Sequence, residues 1–277
     1  MDMLASNWEG FSRRKKRTFD KTKEKTMKQI LMTIACIFTA FSLPASADHH
    51  SRAMEFFACN FNDGKDMSDL MKVTEEWREF AEENFSETYQ AGVMTPYLAK
   101  GSDHPMDFIW VGFSMDQAAL GTVADEWLAK GQKLQAKFDA VSTCDDHSFW
   151  RSLERRPFDG MGKPAFMQVR SCTAKENVVW NQLYRAQTET MKWFDENEIA
   201  GGNYVWIPRV GDARENDVTY YDVWVTASLA ERGAAVEKMG KLDWSEFRGI
   251  WGDGSLVECD NPRVWAIQPV GGSTKAE

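Results

Sequence analysis

The chain has 277 residues, with 33 Lys and Arg against 42 Asp and Glu, a formal charge of −9. Apolar residues make up 43% and charged residues 27%, the composition of a folded, soluble protein rather than a disordered or collagen-like one. The acidic balance excludes a broad nucleic-acid-binding surface, which needs clustered Lys and Arg to displace counterions.

The first patterned segment is Ile30 to Phe41, an uncharged run of twelve residues preceded by Lys28. It is too short to span a bilayer as a helix, which needs roughly 20. Ala45-Ser46-Ala47 behind it has the small-x-small form that signal peptidase accepts, so residues 1–47 read as a signal peptide cut after Ala47. The basic stretch Arg13 to Arg17 is either a long n-region or a sign that Met27 is the initiator. Export to the periplasm or beyond is the expectation, with no stable membrane span after cleavage. Removing nine basic and four acidic residues with the segment leaves 24 and 38, a formal charge of −14 on 230 residues. Such a surface repels anionic lipid and polynucleotides.

The remainder reads as a tandem repeat. Cys59-Asn60-Phe61 answers to Cys172-Thr173-Ala174, and Asn84 to Asn197, both at an offset of 113. Val93-Met94-Thr95-Pro96 faces Val205-Trp206-Ile207-Pro208 at 112. Trp110 to Ser114 faces Trp224 to Ser228 as W-V-x-x-S at 114, and Cys144-Asp145 with Trp150 faces Cys259-Asp260 with Trp265 at 115. The order never breaks.

Within each copy the period of the apolar residues sets the element type. Met54 to Phe61 is short, apolar and aromatic, hence a strand. Asp66 to Asn84 carries Met67, Leu70, Met71, Thr74, Trp77, Phe80 and Ala81 at steps of three and four, a single helical stripe. Trp180, Leu183, Tyr184, Gln187, Thr190, Trp193 and Phe194 repeat that phase. Strands follow at 89–97 and 107–113, and again at 202–208 and 219–225. A second helix is expected after Ser114 and after Ser228, whose hydroxyls are suited to N-caps. A last strand carries Trp150 in one copy and Trp265 in the other.

The order β-α-β-β-α-β, twice, is the ferredoxin-like plan: an antiparallel sheet with helices on one face. Two such units bury their uncovered faces against each other. The sequence therefore resembles the dimeric α+β barrel superfamily in tandem single-chain form. That resemblance implies an α+β fold with ferredoxin-like units at 53–157 and 164–270 and a disordered tail at 271–277. Haem-binding members commonly use a histidine ligand, in tandem members from the second unit. Here His49, His50, His104 and His147 are the full set, the second unit has none, and no cofactor is expected.

Four cysteines in an exported chain suggest two bridges. The repeat selects Cys59 with Cys144 and Cys172 with Cys259, each tying a first strand to the approach of a last one. Each closed loop of about 85 residues is worth roughly 4 kcal/mol in the chain-entropy estimate. No C-x2-C spacing supports the rival reading, a zinc site.

Chemistry is sparsely signalled. No G-x-S-x-G, P-loop or H-E-x-x-H occurs. His147, in Cys144-Asp145-Asp146-His147, is either an acid/base group oriented by a carboxylate or a polar loop residue beside a disulfide. His104 reads as turn chemistry. After cleavage, Asp48-His49-His50 would present an amine, two amides and an imidazole, a square-planar set suited to Cu(II) or Ni(II). Eleven tryptophans remain after Trp8 is removed. Trp110 and Trp224, like Trp150 and Trp265, are either ordinary core or walls of a pocket between sheet and helices for a small hydrophobic ligand. Three functions follow: binding of a small apolar or aromatic molecule in a barrel pocket (or an interaction role); as an enzyme, cofactor-free monooxygenase chemistry of the kind the resemblance implies; and copper or nickel binding through the mature N-terminus.

Overall fold

Alternating side-chain direction along each strand decides which residues face the barrel interior and which face the helices. The computed structural model describes residues 51–101, 104–211 and 217–275. The expected leader and the Asp48-His49-His50 set lie outside them.

The first repeat runs β1 (Ser51–Phe61), α1 (Met67–Asn84), β2 (Tyr89–Leu98), β3 (Phe108–Ser114), α2 (Gln117–Lys130), α3 (Gln132–Asp139) and β4 (Ser142–Arg156). The second runs β5 (Ala165–Ala174), α4 (Trp180–Glu196), β6 (Gly202–Val210), β7 (Tyr220–Thr226), α5 (Leu229–Met239), α6 (Ser245–Ile250), β8 (Val257–Cys259) and β9 (Arg263–Ser273). α1 starts where Asp66 accepts hydrogen bonds from the amides of Ser68 and Asp69, and it buries Leu70, Val73, Thr74, Trp77 and Ala81. α4 buries the matching face through Leu183, Gln187, Thr190 and Trp193.

Within each repeat the strands take the ferredoxin-like order, β4-β1-β3-β2 in the first. The two sheets then exchange edges, β4 pairing with β6 and β9 with β2, while β5 pairs with β7. Eight antiparallel strands close into a barrel, which pairs the edges of the two sheets with each other. β8 and β9 pair successive stretches of β5 and form one last strand interrupted at Asp260-Asn261-Pro262, where Pro262 has no N–H to give a ladder. The closed sheet is the burial of two uncovered faces that the duplication predicts.

Met54, Phe56, Met94, Val111, Met167, Trp206, Val223, Val225, Trp265 and Ile267 fill the interior. Trp150 and Trp265 sit there at equivalent points. Trp150 lies opposite Met54 and Pro208, Trp265 opposite Met167 and Pro96. Both disulfides form within a repeat, Cys59–Cys144 and Cys172–Cys259.

Three expectations change. Ser114 is not an N-cap: it ends β3, its hydroxyl donates to the Thr88 carbonyl, and Asp116 caps α2 instead. Ser228 does cap α5, accepting from the Glu231 amide. The tail expected from Gly271 onward is ordered to Ser273, because β9 pairs Gly271, Gly272 and Ser273 with Ala91, Gln90 and Tyr89. A Cβ on Gly272 would lie 2.0 Å from the Tyr89 carbonyl oxygen, so two small residues permit an approach that an apolar-pattern search passes over. The third change concerns the repeat register. Phe108 lies opposite Cys59 and Tyr220 opposite Cys172, so β3 and β7 correspond at an offset of 112, not 114. Trp110 thus matches Asp222, and Gly112 matches Trp224; the shared W-V-x-x-S is a two-residue slip.

Candidate functional site

That slip marks where the repeats diverged. In the first repeat Glu55, Phe57 and Cys59 on β1 point toward the helices, as do Phe108 and Trp110 on β3. Between this sheet face and α1, α2 and α3 lies a cavity of about 370 Å³. Trp77, Phe85, Trp110, Trp127 and Phe138 give it aromatic walls, and Leu128, Gln135 and Asp139 stand at its exposed rim. The rings meet nearly edge-on: Trp77 and Trp110 at 82° with centroids 4.7 Å apart, Trp110 and Phe138 at 79° and 5.7 Å. Such T-shaped pairs are each worth about 1 kcal/mol beyond their buried area.

One buried polar chain runs along the sheet side of the cavity. Trp110 Nε1 donates to Tyr89 Oη at 3.2 Å, and Tyr89 Oη donates to Glu55 Oε2 at 2.8 Å. The other carboxylate oxygen, Oε1, is 2.7 Å from His147 Nε2. Glu55 is only 8% exposed, whereas the His147 side chain is 49% exposed and stacks on Phe57 at 3.9 Å. Burial, with the neighbouring Glu55 charge, holds the Tyr89 phenol well above its ordinary pKa, so it remains a donor at neutral pH. Gly112 makes the arrangement possible. A Cβ there would lie 1.8 Å from Tyr89 Oη, so the phenol occupies space that only glycine leaves open.

The second repeat places different side chains on the corresponding side. Gln168 and Arg170 stand where the first has Glu55 and Phe57, and Arg170 pairs with Asp222 at 2.9 Å. The roles of ring and glycine reverse: Trp224 donates to the Ala200 carbonyl and lies over Gly201, whose Cβ would be 2.5 Å from the indole nitrogen. Trp193, Trp244 and Phe247 pack together on the same side, with centroids 5.0 to 5.5 Å apart.

Of the sequence-derived candidates, the structure therefore brings Trp110 and His147 to one cavity, with the Cys59–Cys144 bridge in its wall. Trp150 and Trp265 lie in the barrel interior, and Trp224 among the helices of the other repeat. The cavity is outside the barrel rather than in it. The carboxylate facing His147 is Glu55, from the adjacent strand, not Asp145 or Asp146. Sequence reasoning missed Glu55 and Tyr89, although Glu55 is the one charged residue between Met54 and Phe61. Among the described residues no group of three or more His, Cys, Asp or Glu side chains is placed to hold a metal.

Haem does not fit the residues present. The second repeat offers no histidine and packs Trp193, Trp224 and Trp244 on its helix side. In the first, His147 Nε2 is engaged by Glu55, and neither Lys nor Arg lines the cavity to meet propionates.

No protein-family model and no curated protein matches the sequence. Solved structures do. A candidate monooxygenase from Lactobacillus acidophilus matches over 81% of this chain and 96% of its own, with a TM-score of 0.50 and 10% identity. A candidate chlorite dismutase matches over 78% and 94%, with a TM-score of 0.46 and 11% identity. A haem-binding protein from Thermus thermophilus matches over 81% and 93%, with a TM-score of 0.46 and 10% identity. At such identities the likeness is one of fold. The chain has the dimeric α+β barrel fold, with both halves carried on one polypeptide.

Proposed function

We propose that this is an exported protein that binds a small, largely apolar, aromatic molecule in the cavity of its first repeat. One observation carries the reading: an aromatic-walled space of about 370 Å³ with one buried carboxylate at its sheet side. This volume is within the range of small-molecule sites, which combine apolar walls with a few placed polar groups. Export is supported by the uncharged run before Ala47 and by two disulfides, bonds that persist in oxidising compartments. Titration with a panel of one- and two-ring aromatic compounds should quench tryptophan fluorescence, and Trp110→Phe should weaken that response. A panel without any response at high micromolar concentration would refute the reading.

A catalytic use of the same cavity is favoured by the contact between Glu55 and the half-exposed His147. A carboxylate paired with an imidazole is a proton acceptor of the kind that activates a phenol or an acidic C–H. The deprotonated ligand would then be oxidised by dioxygen itself, as in cofactor-free oxygenation. Oxygen uptake that depends on both the aromatic ligand and Glu55 tests this second reading; uptake unchanged in Glu55→Gln would discard it.

A further inference from the structure

We infer that the ligand of this cavity is an organic cation, a protonated amine or quaternary ammonium group attached to an apolar body. The inference rests on the reading that the cavity binds a small molecule, and it names the chemistry of that molecule. Three observations lead to it. First, the charged residues lining the cavity are Glu55 and Asp139, with no Lys or Arg. An anionic ligand would meet two carboxylates and, of possible cations, His147 alone. Second, three of the four indole and phenol hydrogens of the walls, all but that of Trp77, are already committed: Trp110 to Tyr89, Tyr89 to Glu55, and Trp127 Nε1 to Gln135 Oε1 at 3.0 Å. What remains to a ligand is mainly acceptor capacity on carboxylates, so the match is a group that brings positive charge or N–H. Third, the walls meet at right angles, Trp77 on Trp110 and Trp110 on Phe138. Trp77, Trp110, Trp127 and Phe138 together box the cavity, and a cation is attracted to the π-electron density of such walls. Glu55, buried at the sheet side of the box, supplies the counter-charge in a medium that screens poorly.

The test uses the mature protein and three probes with one benzyl body: benzyltrimethylammonium, its uncharged carbon isostere neopentylbenzene, and the phenylacetate anion. Affinities are read by calorimetry and by tryptophan quenching. The cation is expected to bind about tenfold or more tightly than the isostere, and phenylacetate more weakly than either. Glu55→Gln should cost the cation about tenfold while leaving the isostere unchanged. If Glu55→Gln fails to fold, Asp139→Asn at the exposed rim gives the same contrast at smaller size. An isostere that binds as tightly as the cation overturns the inference and leaves the binding function standing. Failure of all three probes, together with silence from the neutral aromatic panel, overturns both.

Discussion

Replacing Gly112 with alanine perturbs the site at its narrowest point. The added Cβ would stand 1.8 Å from Tyr89 Oη and 2.2 Å from Cζ, far inside contact distance, and Gly112 lies on a central strand that cannot retreat. The phenol must therefore leave. Its departure removes a hydrogen bond to the Glu55 carboxylate, worth about 1.5–3 kcal/mol, and strands the buried Trp110 N–H, which costs about 1–3 kcal/mol. Alanine restricts the unfolded chain and returns about 0.5–1 kcal/mol. The net expectation is a destabilisation of about 3–4 kcal/mol, measured by denaturant unfolding followed through tryptophan fluorescence. Gly121 in α2 is the control: a Cβ there meets nothing within 4 Å, so Gly121→Ala should stabilise by about 0.5–1 kcal/mol. In a Tyr89→Ala background the space is vacant, and Gly112→Ala should then cost under about 0.5 kcal/mol, which leaves a large coupling between the two positions. A cost below about 1 kcal/mol in the natural background, or an equal cost in both backgrounds, would refute the account of how this glycine shapes the site.

Two further outcomes follow from the same structure. Serine at Cys172 and Cys259 together should lower stability by about 4 kcal/mol or less, since their bridge closes 87 residues, and mass spectrometry without reductant should find no free thiol among the four described cysteines. At alkaline pH the buried tyrosines govern stability. Burial, with the Glu154 charge nearby, lifts Tyr204 from 10.0 to about 12, and burial lifts Tyr89 and Tyr220 as well. Because these folded values lie above the unfolded one, stability is unaffected below pH 10 and falls from there as the unfolded chain ionises first. Tyr204 alone accounts for a loss of about 2 kcal/mol by pH 12. Tyrosinate absorbance should show these residues titrating only as the protein unfolds; three ordinary titrations in the folded state would contradict this.

The fold was legible in the chain because two periods alternate cleanly along it. Trp77 and Trp193 sit on helical stripes, and Phe56 and Phe57 point to opposite faces of one strand, as the pleat requires. The bridges were legible because the repeat fixed which cysteines share a unit. The pocket was not. Trp110 and Trp224 share a five-residue signature, yet strand pairing sets register by backbone hydrogen bonds, and a one-pleat difference leaves the letters matching while the positions differ. Glu55, Tyr89 and His147 come from three strands, so no spacing along the chain announces them. The residual signal was chemical: an acidic residue inside the apolar run Met54 to Phe61 must find partners once buried, and only the closed sheet reveals that they are a tyrosine and a histidine. Which tryptophans line a cavity and which are core was equally hidden, since whether an aromatic side chain fills a space or walls it depends on residues elsewhere. Gly112 leaves room for one phenol, whereas its counterpart, Trp224, is itself an aromatic residue.

The claim that the cavity of the first repeat is a ligand site is tested most directly by the indole N–H resonances of the labelled protein during titration with benzyltrimethylammonium. The account predicts that the signals of Trp77, Trp110 and Trp127 move together and saturate, while those of Trp193, Trp224 and Trp244 stay in place. Movement confined to the second repeat, or to the interior indoles Trp150, Trp206 and Trp265, would contradict it.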